Sequence, residues 1–170
     1  MKKIICGIFL LLLTCGFVYS QNLNNYISEL AKNEDVQVQT ITRDMIKASV
    51  EAAKAMDPTG KLLEQIPPFM LRLDIIEILD LTNCKAEIKS DFLKRFNSQD
   101  DEEGYETLLV AQDGNDKVKI FSQKEGDITE EIIILAVDTD KEEIVLLKLQ
   151  GSLEPADVQK IIEEPGQITG

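Results

Sequence analysis

Apolar positions recur at two different periods along this chain. Leu23, Tyr26, Ile27 and Leu30 are spaced three and four apart, which predicts a short amphipathic helix ending near Asn33. In "VQVQTIT", residues 36–42, apolar and polar residues alternate, and the pattern predicts a strand with one wet face. "TRDMIKASVEAAKAM" is rich in helix formers, with Thr42 placed to cap it, and "DPTG" then turns the chain. No period is clear through "KLLEQIPPF". "MLRLDIIEILDL", residues 70–81, alternates until the phase slips at Ile75–Ile76, and its Ile content after a Pro-Pro pair predicts a strand with a bulge. Ile88, Phe92, Leu93 and Phe96 form one helical stripe in "NCKAEIKSDFLKRFN", with Asn83 or Thr82 as the expected cap.

Beyond Tyr105 the period settles at two. "YETLLVAQ", "KVKIFSQK", "EEIIILAVD" and "EIVLLKLQ" predict four successive strands joined by short polar turns, the first of them a tight hairpin at "DGND". The uninterrupted "IIIL" implies a strand covered on both faces or lying under helices. A last helix follows in "EPADVQKIIEE". The order is helix, strand, helix, strand, helix, four strands, helix. It predicts an α+β fold: a mostly antiparallel sheet with a C-terminal four-strand meander and helices packed on one face.

The N-terminus changes where this domain is expected to work. "MKKIICGIFLLLLTCGFVYS" sets Lys2 and Lys3 before an apolar run that is shorter than the span of about 20 residues a membrane helix needs, the pattern of a secretory leader. Cleavage after Ser20 is the preferred reading, leaving residues 21–170 as a single α+β domain. Lipid attachment at Cys15 is the alternative, with Thr14 standing where a lipobox normally has Gly, Ala or Ser. Either way the product is exported, to the periplasm or outer envelope, with no transmembrane span in the mature chain. Cys84 is then the only cysteine outside the leader, so no internal disulfide can form, and a buried thiol is the expected state.

Charge and composition remove whole classes of chemistry. The formal net charge is −13, and loss of Lys2 and Lys3 makes it −15, a field that repels nucleic acid and anionic headgroups. There is no histidine, which excludes Ser-His-Asp and Cys-His catalysis and any His-ligated metal. With no Trp and three Tyr, the stacked aromatic platform that usually reads a sugar is also missing.

Three chemistries could draw on the residues present. The loops "DTDKEE", residues 138–143, and "DGND", residues 113–116, gather oxygen donors for calcium, but the EF-hand glycine and terminal glutamate are absent. Paired carboxylates could serve a glycosidase, yet with 31 acids sequence cannot nominate a pair. Lys47 and Ser49, the elements of a Ser-Lys scheme, lie two apart on a helix and so diverge. The turn at Gly151 is a further candidate, as a phosphate cradle. It has one glycine, and Glu154 and Asp157 stand where the anion would lie, so it reads as a corner between strand and helix, with Glu154 or Ser152 capping and Pro155 at the first helical position.

The segments "IIEIL", "YETLLVAQDGNDKVKIF", "EEIIILAVD" and "VLLKLQGSLEPADVQKI", in that order behind a helical first half, resemble an uncharacterised secreted family of Bacteroidetes, domain of unknown function 4252. The resemblance spans nearly all of the chain after the leader. It implies a small exported α+β protein and supplies no catalytic residues. The expected function is therefore non-enzymatic: no cofactor, no metal, and an envelope protein, identity unknown, as partner. That partner would be bound through an exposed sheet edge and steered by Asp100, Asp101, Glu102 and Glu103. The alternative is a small apolar or lipid ligand held between sheet and helices.

Overall fold

A computed structural model describes residues 22–57, 59–64, 66–98 and 104–163. The leader, with Cys15 and Ser20, and the run Asp100–Glu103 lie outside the described residues. Six stretches are extended: β1 (Gln37–Thr42), β2 (Leu73–Asp80), β3 (Glu106–Asp113), β4 (Asp116–Glu125), β5 (Ile128–Asp138) and β6 (Glu143–Leu153). The helices are α1 (Leu23–Ala31), α2 (Arg43–Met56), the single turn α3 (Lys61–Glu64), α4 (Ala86–Ser98) and α5 (Pro155–Glu163), with a 3-10 helix at Pro68–Arg72. The segment without a clear period thus contains α3 and leads into the 3-10 helix.

The strands form one sheet in the order β1-β2-β6-β5-β4-β3, and every neighbouring pair is antiparallel. The fold class is α+β, as expected. β3 to β6 lie side by side as the predicted meander, while β2 and β1 extend the sheet beyond β6, so the whole order is not sequential.

The expectation that helices cover one face is corrected: they cover both. On one face Leu23, Tyr26, Ile27 and Leu30 of α1 and Phe92 and Phe96 of α4 pack on Leu79, Phe121, Ile133, Leu135 and Leu146. On the other, Ile46 of α2, Phe69 of the 3-10 helix, and Val158 and Ile161 of α5 pack on Ile76, Ile120, Ile132, Ile134, Leu147 and Leu149. The reason lies in the central strands. Ile132 to Leu135 are all buried, with successive side chains pointing to opposite faces, so both faces must be kept from water.

Local signals decided most boundaries. Asn22 caps α1, its Oδ1 accepting from the Asn24 amide at 2.8 Å, and Thr42 Oγ1 accepts from Met45 at the start of α2 at 3.5 Å. The bulge in β2 falls between Leu73 and Ile75, at Asp74, just before the phase slip. The cap expected for α4 is corrected. The helix begins at Ala86, beyond Asn83 and Thr82, and Thr82 instead accepts from the Ile144 amide through its Oγ1 at 3.4 Å. At Gly151 the corner reading is corrected: β6 runs on through Gly151, which faces Leu73, to Leu153, and α5 begins only at Pro155. A Cβ at Gly151 would strike the carbonyl oxygen of Arg72 and stand 2.8 Å from Leu73 Cα, so only glycine lets the 3-10 helix and β2 approach β6 this closely.

Candidate binding edge

β1 forms because Val, Thr and Ile favour extended backbone, and Val38, Ile41 and Thr42 find Leu79, Ile76 and Ile75 across the ladder with β2. As the first strand in the order, it has no strand on its outer side among the described residues. The prediction of one wet face is corrected: Gln37 to Thr40 and Thr42 are exposed, Ile41 is half-buried, and Val38 is 42% exposed.

An open edge invites pairing with another chain, and proteins usually blunt it with charge, proline or a bulge. β1 has none of these. Its six residues, "QVQTIT", are uncharged, and its ladder with β2 runs without a register shift. The opposite edge is different. β3 starts and ends on acids, Glu106 and Asp113, and its pairing with β4 slips between Thr107 and Leu109.

α2 continues this surface. It follows β1 directly, and of its side chains only Ile46 is buried. Asp44, Lys47, Glu51 and Lys54 share one stripe at helical spacing, and Met45, Ser49, Ala52 and Met56 form another that is uncharged. Met45 is 51% and Met56 79% exposed. Of seven exposed large apolar side chains among the described residues, five (Val38, Met45, Met56, Leu62 and Leu71) lie between β1 and the 3-10 helix. Exposed apolar side chains are thus concentrated in one part of the chain.

The remaining clusters are committed elsewhere. Glu131 and Lys148, 4% and 6% exposed, pair at 3.2 Å on the α1 side of the sheet. The Tyr105 hydroxyl and Gln150 Nε2 (2.8 Å) donate to Glu131, and Lys148 donates to Asn24 Oδ1 at 2.6 Å. Both ions are shielded and hydrogen-bonded, which suits a strut between α1 and the strands β5 and β6. Nearby, Arg95 stacks 4.7 Å from the Tyr26 ring centre and Lys119 lies 5.3 Å from that of Phe96. The hollow lined by Leu23, Tyr26, Phe92 and Phe96 measures about 10 Å³, room for at most one water. A hollow of that size lends no support to a lipid held there. A groove of about 430 Å³ between α5 and the β4–β5 hairpin is open to solvent.

The two loops weighed for calcium do meet: Asn115 donates to Asp140 at 2.7 Å and accepts from the Thr139 amide. Asp138 is used within its own turn. It accepts from the amides of Asp140 and Lys141 and pairs with Lys141 Nζ at 2.7 Å, and that lysine holds its carboxyl below the usual range. Glu125 and Glu130 form a carboxyl pair on the β4–β5 hairpin, where the Glu125 hydrogen bond raises Glu130. They lie on open surface, not in a cleft. Lys47 and Ser49 point along different stripes of α2, and the Ser49 hydroxyl donates to the Met45 carbonyl at 3.0 Å. Cys84 is buried, its thiol donating to the Asp35 carbonyl and pushed up by burial.

Sequence reasoning anticipated an exposed edge without choosing it. The signal was available: "QVQTIT" is an uncharged strand in a chain where 29% of residues are charged. A family model described as a domain of unknown function (DUF4252) matches residues 19–161. No curated protein and no solved structure matches the chain.

Proposed function

The chain belongs to this family of unknown function, and we propose from its own residues that it is a non-enzymatic binding protein of the cell envelope that works by strand addition at β1. The observation that carries the reading is the undefended edge: six uncharged residues, free of proline and bulge, with no strand along their outer side among the described residues. An added strand would gain main-chain hydrogen bonds from β1, and side chains such as Val38 would select what pairs. Export rests on the leader-like residues 1–20. The absence of catalysis rests on composition without histidine and on the enclosure of the Glu131–Lys148 pair.

The test is a crosslinked pull-down from the native envelope with the natural chain and with Val38→Lys/Thr40→Lys. Both positions are exposed, so the added charge guards the edge at little cost to the fold. Capture of one polypeptide in stoichiometric amount, lost in the double variant, is the expected result. Capture unchanged by the variant would refute strand addition at β1.

A further inference from the structure

Resting on that reading, we infer that the chain seated on β1 is a second copy of this one, its own β1 running antiparallel to the first about a two-fold axis. Facing residues in an antiparallel pair share a face of the sheet. Two identical strands satisfy this only if the axis passes through a residue, so near the middle of β1 it lies at Gln39 or at Thr40. An axis at Thr40 sets Val38 opposite Thr42 and Gln39 opposite Ile41. An axis at Gln39 sets Val38 opposite Thr40 and Gln37 opposite Ile41. No charged residue meets another in either register.

Charge selects the occupant. A two-fold axis places each patch against itself, so any patch with net charge repels its own image. Across the chain the net is −13, but residues 36–56 hold three bases (Arg43, Lys47, Lys54) and two acids (Asp44, Glu51). Two such acidic molecules can meet here with little mutual repulsion. A basic foreign partner would be drawn to acidic surface instead, and β1 offers none.

The adjoining helix supplies apolar area that a strand pair lacks. Arg43 reaches inward to β2, its guanidinium 2.6 Å from Asp74, and it lies on the charged flank of α2. The opposite flank, with Met45, Ser49, Ala52 and Met56, therefore turns away from β2, and Met45 and Met56 are exposed on it. Across the axis this flank would meet its equivalent, small residues and adaptable methionines against the same.

The experiment uses the chain expressed from its full sequence, as the natural protein, as Val38→Lys/Thr40→Lys, and as Gln39→Cys and Thr40→Cys separately. Cys84 is buried, so the natural chain is the control for disulfide capture. Sedimentation should show a dimer whose dissociation constant rises at least roughly tenfold in the double lysine variant. Mild oxidation should link one cysteine variant, the one at the axis, far faster than the other. Should the lysine variant fail to fold, the cysteine pair decides alone. A monomeric chain in which neither cysteine links overturns the inference, as does a dimer that neither cysteine captures. If that monomer still captures an envelope protein through β1, strand addition stands and only self-pairing falls. If it captures nothing, both fall.

Discussion

Single positions carry much of this fold's definition. Gly151→Ala would press a methyl into the Arg72 and Leu73 backbone, which cannot rotate aside as a side chain could. A loss of about 1 to 3 kcal/mol in urea denaturation is expected, as for overpacked cores. Lys148→Met strands Glu131 in a buried site without its cationic partner, leaving it the hydrogen bonds from Tyr105 and Gln150, at an expected cost of about 3 to 5 kcal/mol. Adding Glu131→Leu should recover most of that loss, since the pair's own net worth is small, and a double-mutant cycle measures the recovery. Tyr26 makes a pH prediction. Burial, and next the Asp91 charge, raise its phenol from 10.0 to about 12. The folded chain therefore keeps this proton where the unfolded chain has lost it, and stability falls as pH climbs from about 10 through about 12. Absorbance titration near 295 nm should show Tyr26 ionising late, together with alkaline unfolding; ionisation at the ordinary value would contradict this.

At the scale of elements, strands and amphipathic helices were legible because their periods are set by burial on one side. β3 to β6, α1 and α2 fall where alternation and capping residues place them, and α5 starts at Pro155 as that residue predicts. What was not legible depended on contacts between distant segments. The 3-10 helix has no period of its own and is held by Phe69 in the core and by Arg72, which pairs with Glu154 at 2.6 Å and Asp157 at 3.0 Å. The start of α4 shifted because Thr82 binds a strand 62 residues away. In α5 neither Ser152 nor Glu154 supplies the cap by its side chain among the bonds described; Asp157 reaches back to the Glu154 amide at 3.0 Å, one half of a capping box. α2 was legible as a helix but not as a lightly anchored one. Ile46→Ala should release it, so that amides of residues 47–56 exchange far faster while those of β5 keep their protection.

For the whole molecule, charge and topology set the behaviour. Association of two acidic copies at an uncharged edge should tighten as salt screens their repulsion, whereas a complex steered by acidic loops should weaken. Sedimentation at low and high sodium chloride separates the two by the sign of the slope. The sheet order carries a consequence for biogenesis. β2 lies between β1 and β6, and β6 is the last strand to be synthesised. While β3, β4 and β5 can zip together as they emerge from the ribosome, β1 and β2 can pair only with each other until β6, ending at Leu153, is made. From the completion of β2 at Asp80 until that of β6 at Leu153 the nascent chain therefore carries a two-stranded ladder detached from the rest of the sheet, the condition in which a polypeptide still threads a translocation pore or engages a holding chaperone.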